Sequence, residues 1–118
     1  MRIVAIDHVQ LAMPVGEEEK TRAFYNGLLG LTEVPAELAK HGGAWFEAGS
    51  VKVHLGVESV PARKAHPAFL VEGLGRFVEV LERRGHSVTH DMPLEGYDRV
   101  YVTDVFGNRI EFLERLPL

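Results

Sequence analysis

The stretch Ala44-Trp45-Phe46-Glu47-Ala48-Gly49-Ser50-Val51-Lys52-Val53-His54-Leu55-Gly56-Val57 decides how this chain reads. Two runs rich in apolar residues, Ala44 to Ala48 and Val51 to Val57, flank the pair Gly49–Ser50, which suits a tight turn. The segment therefore reads as strand, turn, strand. Side chains on a strand alternate between its faces, so His54, set among Val51, Val53, Leu55 and Val57, is sent away from the apolar face. Trp45 and Phe46, as neighbours, also face opposite ways, one toward a core and the other toward a pocket.

Upstream, Ile3 to Ala12 is an apolar stretch interrupted by His8 and Gln10, two apart and so on one side of an expected strand. Glu17 to Leu29 shows helical spacing, with Ala23, Phe24, Leu28 and the stem of Lys20 on one face and acidic residues in the first turn; Gly30 ends it. A weak strand at Leu31 to Val34 completes a βαβββ unit. Glu58 to Ala65 suits an exposed connector. The same order then repeats: a strand from His66 to Val71, a helix from Leu74 to Arg84 with Leu74, Phe77, Val78 and Leu81 on one face, and a break at Gly85. Strands follow near His86 to His90, Arg99 to Thr103 and Arg109 to Leu113, the last two joined by Phe106-Gly107-Asn108. The expected fold is α+β: a single domain over 1–118 of two tandem βαβββ modules, about 1–57 and 66–115, forming a curved mixed sheet.

The repeat also shows in spacing. His8 lies 46 residues before His54, and His66 lies 45 before Glu111. Each pair joins the first strand of a unit to its last, so units related by a rough twofold would bring four donors to one point on the concave side. A lone strand histidine more often fills a core or edge position, and a lone terminal glutamate is more often solvated or paired with an arginine such as Arg109. The joint placement is what makes His8, His54, His66 and Glu111 a candidate metal set. Three imidazoles and one carboxylate suit one divalent ion of zinc, nickel, cobalt, iron or manganese. His41, in a Gly-rich loop, and His86 and His90, flanking an edge strand, read as surface residues. Gln10 is placed to orient a substrate or a bound water. Arg99 is a candidate clamp for an anion, with hydroxyls from Tyr97 and Tyr101 beside it; Trp45 is the candidate pocket wall.

Composition narrows the classes. The chain has 118 residues, 46% hydrophobic and 25% charged, a net charge of −4 and no cysteine. One ordinary domain is expected at this length, and thiolate ligands, disulfides and a catalytic thiol are excluded. Lys and Arg are scattered rather than striped, which argues against nucleic acid. With no apolar run of membrane-spanning length and no signal-like start, a cytoplasmic protein that binds neither membrane nor nucleic acid is expected.

Three segments carry a family resemblance: Ile6-Asp7-His8-Val9, Phe24-Tyr25-Asn26-Gly27-Leu28-Leu29-Gly30-Leu31, and Asp104-Val105-Phe106-Gly107-Asn108-Arg109-Ile110-Glu111. Over essentially its whole length the chain resembles the vicinal oxygen chelate superfamily, which includes glyoxalase I, extradiol dioxygenases, fosfomycin-resistance enzymes and bleomycin-resistance proteins. The resemblance implies paired βαβββ modules around a metal, a homodimer with sites shared between chains, and a small-molecule substrate whose vicinal oxygens the metal chelates. His8, His66 and Glu111 match the common His-His-Glu triad, and His54 matches the variable fourth position.

Glyoxalase I usually has glutamate at that fourth position. Its chemistry here would make Glu111 both ligand and proton shuttle, or recruit Glu47. Val105 stands where many relatives have proline, and Gly107 keeps the turn's backbone freedom. Three activities follow from the resemblance. The first is a glyoxalase-like lyase or isomerase, with Glu111 as the catalytic base. The second is an extradiol-type ring-cleaving dioxygenase on the triad alone. The third is a bleomycin-resistance-like protein that sequesters a ligand without metal.

Overall fold

The computed structural model describes residues 1–39 and 42–117. The chain divides into two compact units, Met1–Pro61 and Ala62–Leu118. Each carries a four-stranded mixed sheet, so the expected sheet is realised as two.

In the first unit, strand β1 (Val9–Met13) leads to a helix α1 (Glu18–Arg22) that continues as a π-helix (Ala23–Leu28); strands β2 (Thr32–Glu33), β3 (Ala44–Ala48) and β4 (Val51–Val57) follow. The sheet order is β1-β4-β3-β2, with β1 parallel to β4 and the other pairs antiparallel. Period-two alternation puts Leu11, Met13, Phe46, Val53 and Leu55 on one face, where they are buried with Phe24 and Tyr25. Each such side chain contributes roughly 1.5–3 kcal/mol by leaving water. Phe46 is the core member of the Trp45–Phe46 pair, its ring 5.7 Å from that of Tyr25. The approach of β3 to β4 needs a glycine: Gly43 has φ +87°, and a Cβ there would run into the Leu55 carbonyl.

Two expectations are corrected in this unit. The first strand begins at Val9 rather than Ile3, because β4, its partner among the described residues, runs out. Val9 pairs with Val53, so the first residue of β4, Val51, stands opposite residue 7, and β4 does not reach Ile3, Val4 or Ile6. Those three stay exposed. The helix face differs as well: Leu29 N–H donates to the Phe24 carbonyl at 2.9 Å, five residues back, and this wide turn carries Phe24 and Tyr25 inward together. Ala23 and Lys20 are consequently exposed and Leu28 only half-buried.

The second unit holds β5 (Ala68–Leu70), α2 (Leu74–Arg83), β6 (Val88–Thr89), β7 (Tyr97–Thr103) and β8 (Arg109–Arg115), with sheet order β5-β8-β7-β6. Its core is Leu74, Leu81, Val100, Val102, Ile110 and Phe112, and Phe77 meets the Phe112 ring edge to face at 5.1 Å. Helix α2 starts at Gly73, which has no side chain to cap it. The missing acceptor comes from β8: Glu114 accepts the Gly73 and Leu74 N–H groups at 2.7 and 3.2 Å.

The turn from β7 to β8 is built on side chains. Asp104 Oδ1 accepts the N–H groups of Phe106 at 2.9 Å and Asn108 at 2.8 Å, while Asn108 Nδ2 donates to Asp104 Oδ2 at 2.8 Å. Asn108 Oδ1 in turn accepts the Ala62 N–H at 2.9 Å, tying the head of the unit to the start of β8. Gly107, at φ 96°, makes the bend. Among the described residues no helix is long and apolar enough to cross a membrane.

Candidate functional site

The first unit supplies a stack of rings on the sheet face opposite its core. In the ladder His54 stands between Gln10 on β1 and Trp45 on β3, so all three share that face. His8, two residues before Gln10, lays its ring 4.1 Å from that of His54, and Trp45 lies 4.0 Å away on its other side at 3°. Burial, and then the neighbouring His8, hold the His54 pKa below its ordinary value, so the imidazole is kept neutral with a lone pair available. His8 Nδ1 lies 2.9 Å from the Asp7 carboxylate. An ionised carboxylate only accepts, so Nδ1 carries the proton and Nε2 is left as the donor atom toward a metal. That bond to His8, followed by the charge of Lys52, lowers the Asp7 pKa. Gln10 lies across Gly56, where a Cβ would crowd its amide, and lines a cleft of about 460 Å³ with Leu38, Ala39, Gly42, Trp45, Gly56 and Val57.

The second unit repeats the relation. Ala68 is the ladder partner of Glu111, and His66 lies two residues before Ala68, as His8 lies two before the partner of His54. His66 Nδ1 lies 2.9 Å from the Lys64 carbonyl, which fixes the proton on Nδ1, and Nε2 faces Glu111 Oε1 at 3.1 Å. Glu111 is 6% exposed. Tyr101, its ladder partner on β7, sits edge-on to His66 at 5.2 Å. The phenol pKa is raised by burial first and then by its hydrogen bond to Glu111. Arg99 Nη1 stands 3.7 Å from Glu111 Oε2 and 3.4 Å from the Tyr101 oxygen, while its Nε and Nη2 donate to the Met92 carbonyl at 3.3 and 2.9 Å.

The structure thus groups His8, His54, Gln10 and Trp45 on one sheet and His66, Glu111, Arg99 and Tyr101 on the other. Within either unit the nitrogen and oxygen donors come as a pair, and among the described residues no group of three is placed to hold a metal ion. Tyr97 shares a strand face with Arg99 and Tyr101 but lies four residues, about 13 Å, along the strand from Tyr101. Glu47 shares the face of Trp45 and stands opposite Lys52. His90 is exposed and His86 half-buried, and His41 lies outside the described residues. Sequence reasoning missed the hub position of Tyr101 and the placement of Arg109, whose guanidinium lies 4.0 Å over the Tyr101 ring. Period-two alternation carried that signal: residues 109 and 111 of β8 and residues 101 and 103 of β7 share one face.

The residues present fit a divalent metal. His66 Nε2 and Glu111 Oε1 stand 3.1 Å apart, and once the imidazole gives up its Nε2 proton both atoms turn a lone pair toward the same point. Two acceptors at that distance require a proton or a cation between them.

Two βαβββ units, each with a pair of nitrogen or oxygen donors on the sheet face opposite its core, define a paired-module protein. The chain belongs to the glyoxalase/bleomycin resistance protein/dioxygenase superfamily, whose family model matches residues 5–112. It is 48% identical to a protein assigned to the glyoxalase family from Bacillus anthracis, with a TM-score of 0.89 over 98% of this chain and 100% of that one. The fold is shared with the fosfomycin resistance protein FosX of Listeria monocytogenes (17% identity, TM-score 0.75, 99% and 95% covered). It is also shared with TnmS3, an antibiotic-binding protein of Streptomyces sp. CB03234 (19%, 0.74, 97% and 100%). No functionally curated protein matches the sequence.

Proposed function

We propose that the chain is a metal-dependent lyase or isomerase of the glyoxalase kind, acting on a small substrate with vicinal oxygens. One half-site of each type, His8 with His54 and His66 with Glu111, together hold one divalent ion. The observation that carries this reading is the approach of His66 Nε2 to Glu111 Oε1 at 3.1 Å, a nitrogen and a carboxylate oxygen close enough for one cation to take both. The neutral His54 and the Asp7-oriented His8 support it, since both keep a ring nitrogen available for a ligand. When bound, such an ion supplies Lewis acidity to two neighbouring substrate oxygens.

The chain's own residues do the rest. Glu111 takes a proton from the substrate carbon beside those oxygens and returns it to the neighbouring one. Arg99 and Tyr101 hold its carboxylate in place for that transfer. Gln10 and Trp45, which line the cleft on the first sheet, bound the substrate and limit water. The working form is a cytoplasmic homodimer that shares its sites between chains.

Metal analysis of protein purified without chelator, beside His8→Ala, His54→Ala, His66→Ala and Glu111→Ala, tests the reading. About one ion per chain is expected, lost in the variants. Metal-dependent exchange of the α-hydrogen of a hemithioacetal then reports the proton transfer. A wild-type protein that takes up no divalent ion would sink the enzyme reading and leave a ligand-sequestering protein in its place.

A further inference from the structure

The proposed chemistry gives Arg109 no part. Arg109 is half-buried on the face of β8 that carries Glu111, with its guanidinium carbon 4.0 Å above the centre of the Tyr101 ring. Among the described residues no carboxylate pairs with it and no side-chain hydrogen bond uses its N–H groups. Arg99 is the contrast: its Nε and Nη2 are spent on the Met92 carbonyl, and its Nη1 faces Tyr101 and Glu111. Arg99 is a positioning residue for the Glu111 carboxylate. Arg109 keeps its fork to offer.

A guanidinium held 4.0 Å over a phenol ring is already restrained and loses little freedom when a ligand arrives at its N–H groups. That edge presents two parallel donors, the geometry of a carboxylate's two oxygens. Its place sets the length of the ligand. Arg109 and Glu111 are two residues apart on one strand, about 7 Å, and the ring beneath Arg109 belongs to the ladder partner of Glu111. A group held by Arg109 therefore lies roughly two to four bonds from oxygens held beside Glu111.

We propose that Arg109 binds a carboxylate of the substrate, which makes the substrate class a short oxygenated acid: vicinal oxygens at one end and a carboxylate a carbon or two away. The proposal rests on the vicinal-oxygen reading above. It adds a binding residue and a substrate charge to that reading.

Calorimetric titration of the zinc-loaded protein with malate and 2-hydroxybutanoate tests it, since the two share a 2-hydroxy acid and only malate carries the second carboxylate. Malate is expected to bind about tenfold or more tightly than 2-hydroxybutanoate. The ratio should fall to near one in Arg109→Gln and lie between in Arg109→Lys, which keeps the charge without the fork. Equal affinities in the wild type, or a malate preference kept in Arg109→Gln, would overturn the assignment. Tighter binding of 3-phosphoglycerate than of malate would overturn the carboxylate and assign a phosphate. Repeating the titrations on metal-free protein separates the two ideas. A malate preference that persists with no metal dependence for either probe sinks the chelate reading and leaves Arg109 standing, whereas metal-dependent binding of both probes with equal affinity sinks Arg109 alone. No binding of either probe overturns both.

Discussion

Replacing Asn108 by alanine removes a side chain that joins three parts of the second unit. Its Oδ1 accepts the Ala62 N–H at 2.9 Å and its Nδ2 donates to Asp104 Oδ2 at 2.8 Å, with the residue itself fully buried. Alanine leaves the Ala62 donor and one carboxylate oxygen without these partners and leaves a small void besides. Each buried group that loses its partner costs about 1–3 kcal/mol, so a loss of about 2–4 kcal/mol is expected. Set against a total of roughly 5–15 kcal/mol for an ordinary domain, that is a large fraction. For a chain of this length it corresponds to a fall of roughly 8–16 °C in the thermal midpoint. Urea unfolding followed by circular dichroism gives the free energy, and calorimetry gives the midpoint. A loss below about 0.5 kcal/mol, the size of an ordinary surface substitution, would refute the claim that this side chain holds the turn.

Other outcomes follow from the same structure. Glu114→Ala removes the borrowed cap of α2 and should cost about 1 kcal/mol, with faster amide exchange confined to the first turn of that helix. Gly43→Ala forces a Cβ against the Leu55 carbonyl in a left-handed backbone; a loss of at least about 1–3 kcal/mol is expected in denaturant titration, and an unchanged midpoint would deny the close approach. Trp45 is the sole tryptophan and lies 4.0 Å from the His54 ring. Its fluorescence should be quenched by added cobalt(II), saturating at about one equivalent per chain, and quenching that never saturates would count against a site at His54. Chelator treatment should lower the midpoint of the metal-loaded protein and leave Glu111→Ala unmoved.

Residues 44–57 and 74–83 were legible because their signals are local: alternation around a Gly-Ser turn, and one apolar helix face. The pairing of His8 with His54 and of His66 with Glu111 was legible as well, since each histidine lies two residues before the ladder partner of the other donor. The start of β1 was not, because Ile3, Val4 and Ile6 have the composition of a strand but lie beyond the reach of β4 and stay exposed. The cap on α2 was hidden for a similar reason, coming from Glu114 some forty residues away. Arg109 was legible only as a generic partner for Glu111. The structure instead gives Glu111 to Arg99 and His66 and lays Arg109 on Tyr101, a choice set by side-chain reach across two strands.

The π turn at Ala23–Leu28 also bears on how this chain tolerates changes of length. An α-helix turns through about 100° per residue, while a turn closed five residues back fits in one residue more. Deleting one residue between Ala23 and Leu28 would let the backbone close as an ordinary α-helix, with Gly30 still free to end it. Phe24 and Tyr25 could then no longer share the interior on the same terms, and one of the two aromatic rings would rotate toward water. A shortened homologue should therefore carry a small or polar residue at one of these two positions.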